Sequence, residues 1–161
     1  MMTGSRENTS GLTSEIAMHY RKAADYCAIQ DRCKTELLTK FNSWGIRKDE
    51  SEDIIKRLLE EGFLDEKRFS VAYARGKFRN LHWGKIRIMM ELKRRNIAAA
   101  FIKAALYEID PDEYRLTAVR LFDKKMKELR SDTPQNKLKA IRFLAGKGFE
   151  PELIRQLVKE E

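Results

Sequence analysis

The spacing of hydrophobic positions predicts helices along almost the whole chain. From about Ser14 to the C-terminal end, apolar residues recur at intervals of three and four, which is the spacing of one helix face. The sequence has no sustained period-two alternation and few runs of Val or Thr, so strands are not expected. The pattern therefore predicts an all-α fold of nine helices, preceded by a polar, mobile tail over residues 1–13.

Polar residues placed before apolar runs predict where several helices begin. Asp31 is the expected N-cap of the second helix, residues 49–52 (Asp-Glu-Ser-Glu) form a capping-box pattern for the third, and Asp65 opens the fourth. The three prolines each stand at the first position of a predicted helix, after Asp110, Thr133 and Glu150. A proline costs no helical hydrogen bond at that position, so all three agree with the predicted helices.

The nine predicted helices form three similar groups of three. The second helix of each group ends in a turn-forming residue followed by an apolar one: Gly45-Ile46, Asn96-Ile97 and Gly148-Phe149. The third helix of each group then carries two apolar pairs. This recurrence predicts three tandem repeats, over residues 14–62, 63–109 and 110–161. Units of about fifty residues bury little surface alone, so we expect them to stack in an elongated, curved, solenoid-like arrangement.

Positive charge is concentrated in the middle repeat. Residues 63–107 contain eleven bases and three acids, whereas residues 21–62 contain nine of each. The formal net charge of the whole chain is +8, so this segment accounts for all of it. Such a surplus favours a polyanion or an acidic protein surface as the partner. The alternative is a solvated helix face with no partner.

The candidate partner-binding residues are the bases of this segment. Six of them could form a stripe along one surface: Arg75, Lys77, Arg79, Lys85, Arg87 and Arg94. Arg68 and Arg95 complete the candidate set. Trp83, between the two basic helices, either stacks on a nucleic-acid base or fills a junction between repeats.

The residues that usually carry catalysis do not form recognisable motifs. The sequence has neither a GxxxxGK[ST] nor a GxGxxG loop, and His19 and His82 lack the neighbours that a metal site requires. Cys27 and Cys33 have a spacing typical of neither zinc nor redox sites, and are expected to be free thiols. We therefore expect no enzyme activity, cofactor or metal. With no long apolar run, the chain is expected to be cytoplasmic and without a membrane partner. It is also expected to be a monomer.

Residues 58–97 resemble the RecX family of bacterial recombination regulators. The similar motifs are Leu-Leu-Glu-Glu-Gly-Phe-Leu-Asp-Glu-Lys-Arg-Phe (58–69), Ala-Tyr-Ala-Arg (72–75) and Gly-Lys-Ile-Arg (84–87), followed by Glu91-Leu92 and Asn96-Ile97. The family often has a Gly-Tyr-Gly-Pro turn where this chain has Leu-His-Trp-Gly-Lys (81–85). The resemblance is looser, but consistent in helix order, over about 23–161.

The resemblance implies three curved three-helix repeats and a function. Members of the family bind the RecA recombinase and its filament on DNA, and restrain filament growth, ATP hydrolysis and strand exchange. The motif residues carried over are Arg68, Phe69, Tyr73, Arg75, Gly84, Arg87 and Leu92. Among them Phe69, Tyr73 and Leu92 are expected in the core, Gly84 in a turn, and Arg75 and Arg87 at the partner.

Two other functions fit the same residues. The chain could be a basic helical-repeat module that binds DNA or RNA without RecA, and weak direct DNA binding could also accompany RecA binding. It could instead be a helical adaptor for another acidic protein. Steep salt dependence without RecA would distinguish the nucleic-acid module.

Overall fold

The computed structural model describes the backbone of residues 7–160 and the side chains of residues 14–160. This part of the chain contains nine α-helices and no β-strand. In chain order the helices are α1 (Glu7–Ile29), α2 (Lys34–Ser43), α3 (Lys48–Glu60), α4 (Glu66–Leu81), α5 (Lys85–Arg94), α6 (Ala99–Tyr107), α7 (Pro111–Leu129), α8 (Pro134–Lys147) and α9 (Pro151–Lys159). The all-α fold predicted from the hydrophobic spacing is confirmed.

The first helix is longer than the hydrophobic pattern predicted. It begins at Glu7, before the expected start at Ser14. The sequence of residues 7–13 is mostly polar and has no apolar stripe, so hydrophobic periodicity does not predict that part of the helix. Residues 1–6 of the predicted tail lie outside the described residues, and the mobility of residues 1–13 stays a prediction.

Two predicted caps were wrong. The second helix follows Cys33, because the Asp31 carboxylate accepts a hydrogen bond from Arg68 Nε at 2.6 Å instead. The third helix follows Arg47, which has no side-chain cap bond, so the 49–52 pattern lies within its first turn. The acids of that pattern still favour the positive end of the helix dipole.

The caps predicted for α4, α7 and α8 are confirmed. The Asp65 carboxylate accepts a hydrogen bond from the Arg68 amide at 3.0 Å, and Asp110 accepts from the amides of Asp112 and Glu113 at 2.9 Å. The Thr133 hydroxyl accepts from the Asn136 amide at 3.2 Å. Local side-chain chemistry was sufficient to predict these three starts.

The turn after the second helix of each group has the same geometry three times. Gly45, Asn96 and Gly148 have positive φ angles of 71°, 57° and 98°. The amide of the next residue then donates to a carbonyl five residues earlier: Ile46 to Phe41 at 3.0 Å, Ile97 to Leu92 at 3.2 Å and Phe149 to Leu144 at 3.2 Å. This is the Schellman motif, with a buried apolar residue following the left-handed one.

The chain divides into two compact units, and the division falls within α4. The N-terminal unit extends to Phe69, and its α1, α2 and α3 pack around a core that includes Leu37, Phe41 and Leu58. The C-terminal unit begins at Ser70, and in it α5 packs on α6 while α7, α8 and α9 pack together. The repeat boundaries near residues 62 and 109 stay a prediction.

Candidate partner-binding surface

Helix α4 places an aromatic ring and a lysine on one face of the C-terminal unit. Tyr73 and Lys77 are four residues apart, so their side chains are neighbours on the helix. The Lys77 Nζ lies 5.3 Å from the Tyr73 ring centroid. Arg95, which follows α5, places its guanidinium carbon 4.8 Å from the same ring. Tyr73 is therefore a half-buried support for two cations, and not a core residue as expected.

Trp83 connects this arrangement to α5. It lies in the turn after α4, where His82 adopts a positive φ of 56° and the Trp83 amide donates to the Lys77 carbonyl at 3.2 Å. The Lys77 Nζ lies 5.1 Å from the Trp83 ring centroid, and the Arg87 guanidinium carbon lies 4.2 Å from it. These contacts join five residues, each next to the following one in space: Arg95, Tyr73, Lys77, Trp83 and Arg87. We call them the Tyr73–Trp83 row.

The row is strongly cationic. Among the residues with described side chains, no carboxylate forms an ion pair with Lys77 or Arg87. Arg95 does have such a contact, because its Nη1 lies 3.3 Å from the Glu91 carboxylate. Three cations and one acid leave a local positive charge that can attract an anionic partner.

Backbone hydrogen bonds hold the α5 end of the row against the turn between α8 and α9. The Gly84 amide donates to the Lys147 carbonyl at 2.8 Å, and the Ile86 amide donates to the Gly148 carbonyl at 3.0 Å. The Lys147 ammonium also donates to the Leu81 carbonyl at 3.0 Å. The second and third helix groups are thus joined through main-chain atoms next to Trp83.

Only glycine fits at this junction. A Cβ on Gly84 would lie 2.2 Å from the Gly148 carbonyl carbon, and a Cβ on Gly148 would lie 2.4 Å from Arg87 Cβ. Both distances are shorter than any tolerable contact. The junction therefore fixes Arg87, a member of the row, against the third helix group.

A buried tyrosine completes the junction. The Tyr114 hydroxyl donates to the Glu150 carboxylate and accepts a hydrogen bond from the Lys85 amide at 3.0 Å. Burial, together with the bond to Glu150, raises the pKa of Tyr114. The Lys85 Nζ lies 4.9 Å from the Tyr114 ring, so this predicted partner-binding residue supports the junction.

Two other predicted residues lie in a different place. Arg75 and Arg79 are exposed and line a small cleft whose floor includes Phe78. Three acidic residues, Glu108, Asp110 and Glu113, line the same cleft. Arg79 Nε lies 3.9 Å from the Glu113 carboxylate. Because successive helical residues are about 100° apart, Lys77 points away from this pair, and the six predicted bases do not form one stripe.

The last two predicted residues have partners within the chain. Arg94 forms an ion pair with Glu91 at 2.8 Å. Arg68 belongs to the N-terminal unit, where its Nε donates to Asp31 and its Nη2 donates to the Gly62 and Phe63 carbonyls at 3.3 Å. The bond to Asp31 raises the pKa of Arg68. Phe69 and Leu92 are buried, as expected.

The third helix group contains a further cation–aromatic contact that was not predicted from the sequence. The Lys125 and Lys147 Nζ atoms lie 5.0 Å and 5.9 Å from the Phe143 ring centroid. The four-residue spacing of Phe143 and Lys147 on α8 was the available signal. Through its bond to Leu81, Lys147 links this contact to the junction beside the row.

Metal ligands, reactive thiols and membrane-spanning helices are other features through which a chain can act. Among the residues that the structure describes, no group of three or more His, Cys, Asp or Glu side chains is placed to hold a metal ion. Cys27 and Cys33 are buried and free, and burial raises the pKa of the Cys27 thiol. None of the helices searched combines the length and apolar character needed to span a bilayer.

Two family definitions match most of the basic and C-terminal parts of the chain. "RecX, second three-helix domain" matches residues 65–106, and "RecX, third three-helix domain" matches residues 112–158. The regulatory protein RecX of Pseudomonas putida strain GB-1 is 31% identical over 138 residues, which are 86% of this chain and 87% of that protein. This chain belongs to the RecX family.

Other members of the RecX family are longer. RecX of Mycolicibacterium smegmatis is 31% identical over 73% of this chain and 63% of its own length, and RecX of Lactobacillus johnsonii is 30% identical over 81% and 49%. The chain thus spans about half to two thirds of these two relatives.

Solved RecX structures have the same fold. A crystal structure of a regulatory protein RecX has a TM-score of 0.86 and 21% identity, covering 100% of this chain and 81% of that one. RecX from Lactobacillus salivarius has a TM-score of 0.82 and 23% identity, covering 92% and 97%. At these identities the likeness supports the all-α helical-repeat fold.

Proposed function

We propose that this chain binds the RecA recombinase and its filament on DNA, and negatively modulates filament growth, ATP hydrolysis and strand exchange. The observation that carries the proposal is the Tyr73–Trp83 row, together with membership of a family of regulatory proteins. The row lies in the segment that matches the second three-helix domain, where the family motifs were found. DNA repair and homologous recombination are the cellular processes that fit this family.

The construction of the row suits a rigid, anionic partner. Its cations rest on aromatic rings, so they lose less side-chain freedom on binding than free surface lysines would. Its attachment to the third helix group through Gly84 and Gly148 fixes the spacing of its charges. We propose Lys77, Arg87 and Arg95 as the contacts, and assign Lys85 to the junction.

The remaining predicted residues have smaller roles in this proposal. Arg75 and Arg79 share a cleft with three acids, so their net contribution to attracting an anion is small. Arg94 and Arg68 are paired with Glu91 and Asp31. We propose that the chain acts without catalysis of its own, through binding alone.

A charge-reversal pair tests the proposed contacts. Lys77→Glu with Arg87→Glu should abolish inhibition of RecA-dependent ATP hydrolysis on single-stranded DNA at stoichiometric protein. Lys93→Glu with Lys103→Glu is the matched control, because both lysines are exposed bases of the same unit outside the row. The control should inhibit like the unaltered chain.

The same assay separates this function from its alternatives. Equal inhibition by both double variants would exclude the row as the contact. No inhibition by the unaltered chain, combined with tight and salt-sensitive DNA binding, would favour the nucleic-acid module. An adaptor for another acidic protein would show neither activity.

A further inference from the structure

A second group of cations rests on aromatic rings in the N-terminal unit. The rings of Tyr26 on α1 and Trp44 at the end of α2 have centroids 6.1 Å apart, with an interplanar angle of 76°. The Arg32 guanidinium carbon lies 3.7 Å from the Tyr26 centroid, and the Lys22 Nζ lies 4.4 Å from that of Trp44. The Lys40 Nζ lies 5.4 Å from the first and 6.0 Å from the second. We call these five residues the Tyr26–Trp44 cluster.

The cluster is positively charged, although residues 21–62 as a whole contain nine bases and nine acids. Residues 21–47 contain six bases and three acids, whereas residues 48–61, which include α3, contain three bases and six acids. Six of the nine acids in residues 21–62 thus lie on or next to α3, while Asp25, Asp31 and Glu36 lie on α1, α2 or their connection. Among the residues with described side chains, no carboxylate forms an ion pair with Lys22, Arg32 or Lys40.

The cations are held in position before any ligand arrives. Arg32 Nε donates a hydrogen bond to the Tyr26 carbonyl at 3.1 Å, while its guanidinium lies over the Tyr26 ring. This fixes the plane of the guanidinium and leaves its terminal NH groups for an anion. A fixed guanidinium fork matches the oxygen spacing of phosphate.

The cluster presents positive charge but no open apolar pocket for a side chain of a protein partner. Trp44 is covered by Lys22 and by Phe41, whose centroid is 5.9 Å away, and Tyr26 is covered by Arg32. Protein partners usually gain affinity from buried apolar anchors, which these covered rings cannot receive. A nucleic-acid backbone is bound chiefly through its phosphates, so it fits this surface better.

The same construction also appears twice along the chain. The Tyr26–Trp44 cluster and the Tyr73–Trp83 row each combine one tyrosine, one tryptophan and three cations. Each tyrosine lies on the first helix of its group. Every phosphate of a phosphodiester chain carries the same charge, so either group can bind one through the same chemistry.

We propose that the Tyr26–Trp44 cluster is a second anion site, which binds the phosphate backbone of single-stranded DNA directly. Lys22, Arg32 and Lys40 supply the contacts, and the rings position them. This goes beyond the proposed function because it requires no RecA, so either idea can fail alone.

Fluorescence anisotropy with labelled oligo(dT) and no RecA tests the site. The variant Lys22→Gln/Arg32→Gln/Lys40→Gln should bind oligo(dT) with an affinity that is lower by roughly tenfold or more than that of the unaltered chain. The slope of the logarithm of affinity against the logarithm of salt concentration should be shallower by about 2, because each lost phosphate contact contributes about 0.7. Arg47→Gln/Lys48→Gln/Lys56→Gln removes the same charge from exposed positions of the same unit, on and beside α3. This control should retain most of the affinity and slope. Helical circular dichroism confirms that both variants fold.

Tryptophan emission gives a second readout that locates the ligand. The chain has two tryptophans, so Trp83→Phe leaves Trp44 as the only one. Oligo(dT) should change the Trp44 emission, because a phosphate that binds Lys22 alters the cation over that ring. The change should vanish when the cluster substitutions are added.

Three results would overturn the proposal. One is equal loss of oligo(dT) affinity in the cluster variant and the α3 control, which would indicate a general charge effect. Another is a Trp44 emission that stays unchanged at saturating oligo(dT). The third is that the chain binds DNA-free RecA but not oligo(dT), and that the cluster substitutions abolish this binding. The ligand would then be an acidic protein surface.

Discussion

The two cation–aromatic groups use the same chemistry but differ in what supports them. The Tyr73–Trp83 row is held by a second helix group, because the Gly84 and Ile86 amides donate to carbonyls of the α8–α9 turn. The Tyr26–Trp44 cluster is held within α1, α2 and their connection. Its nearby turn glycine, Gly45, has open space around the position of a Cβ. The row therefore depends on packing between two helix groups, whereas the cluster depends on its own helices.

Glycine substitutions should show the largest difference between these supports. Gly148→Ala combines a left-handed φ of 98° with a Cβ 2.4 Å from Arg87 Cβ, and should lower the free energy of unfolding by about 3 kcal/mol or more. Gly45→Ala retains a φ of 71° but meets no atom, and should cost about 1 kcal/mol. Urea unfolding followed by circular dichroism measures both.

Gly146→Ala provides the matched control for the first substitution. Gly146 lies in the same helix, has no positive φ and has nothing within 4 Å of its Cβ position. Alanine should stabilise the helix there by roughly 0.5 kcal/mol. A Gly148→Ala variant as stable as this control would show that the junction is not close-packed.

Removing tyrosine hydroxyls should produce a smaller difference in the same direction. Tyr114→Phe leaves the half-buried Glu150 carboxylate and the Lys85 amide without their shared partner, and should cost about 2 kcal/mol. Tyr20→Phe removes a bond to Glu61, but that exposed carboxylate keeps Arg57 Nε at 3.1 Å and water, so its cost should be about 0.5 kcal/mol. Equal costs would contradict the special role of the junction.

Alkaline pH should weaken the N-terminal unit through Tyr20. Burial, with the bond to Glu61, raises the pKa of Tyr20 from 10.0 to about 12. The unfolded chain therefore loses this proton first, so the stabilisation is complete below pH 10 and is lost as pH rises to about 12. The fall in unfolding free energy over this interval should be smaller in Tyr20→Phe than in the unaltered chain. An identical pH profile in the two would show that Tyr20 does not contribute to it.

The smallest expected effect concerns the ring that supports the row. Trp83→Leu keeps Lys77 and Arg87 but removes the surface on which both rest, so filament affinity should fall only a few-fold. Trp83→Phe should restore most of it, because a flat ring remains. Titrating labelled chain against RecA filaments compares the two. A loss as large as that of the charge-reversal pair would instead indicate direct contact by Trp83.

Local sequence signals predicted much of the fold. The helix order, the starts at Asp65, Asp110 and Thr133, and the repeated left-handed turns all follow from residues close in sequence. The prediction of Asp31 as a cap was wrong, because its carboxylate binds Arg68, which is distant in sequence. Capping rules do not include such long-range competition.

The proposed binding surfaces were harder to predict for two physical reasons. Counting charge along the chain assumes that neighbours in sequence share a surface, but helix geometry separates Lys77 from Arg75 and Arg79. Charge counting also did not reveal the Tyr26–Trp44 cluster, because six of the nine acids that balance residues 21–62 lie on or next to α3. The cation–aromatic contacts themselves depend on how the helices pack.

Binding to preformed RecA filaments on single-stranded DNA tests the central claim most directly. Labelled chain should bind these filaments saturably, Lys77→Glu/Arg87→Glu should lose that binding, and Lys93→Glu/Lys103→Glu should keep it, with all three showing the same helical circular dichroism. Equal filament binding by the two double variants would contradict the assignment of the Tyr73–Trp83 row as the contact surface.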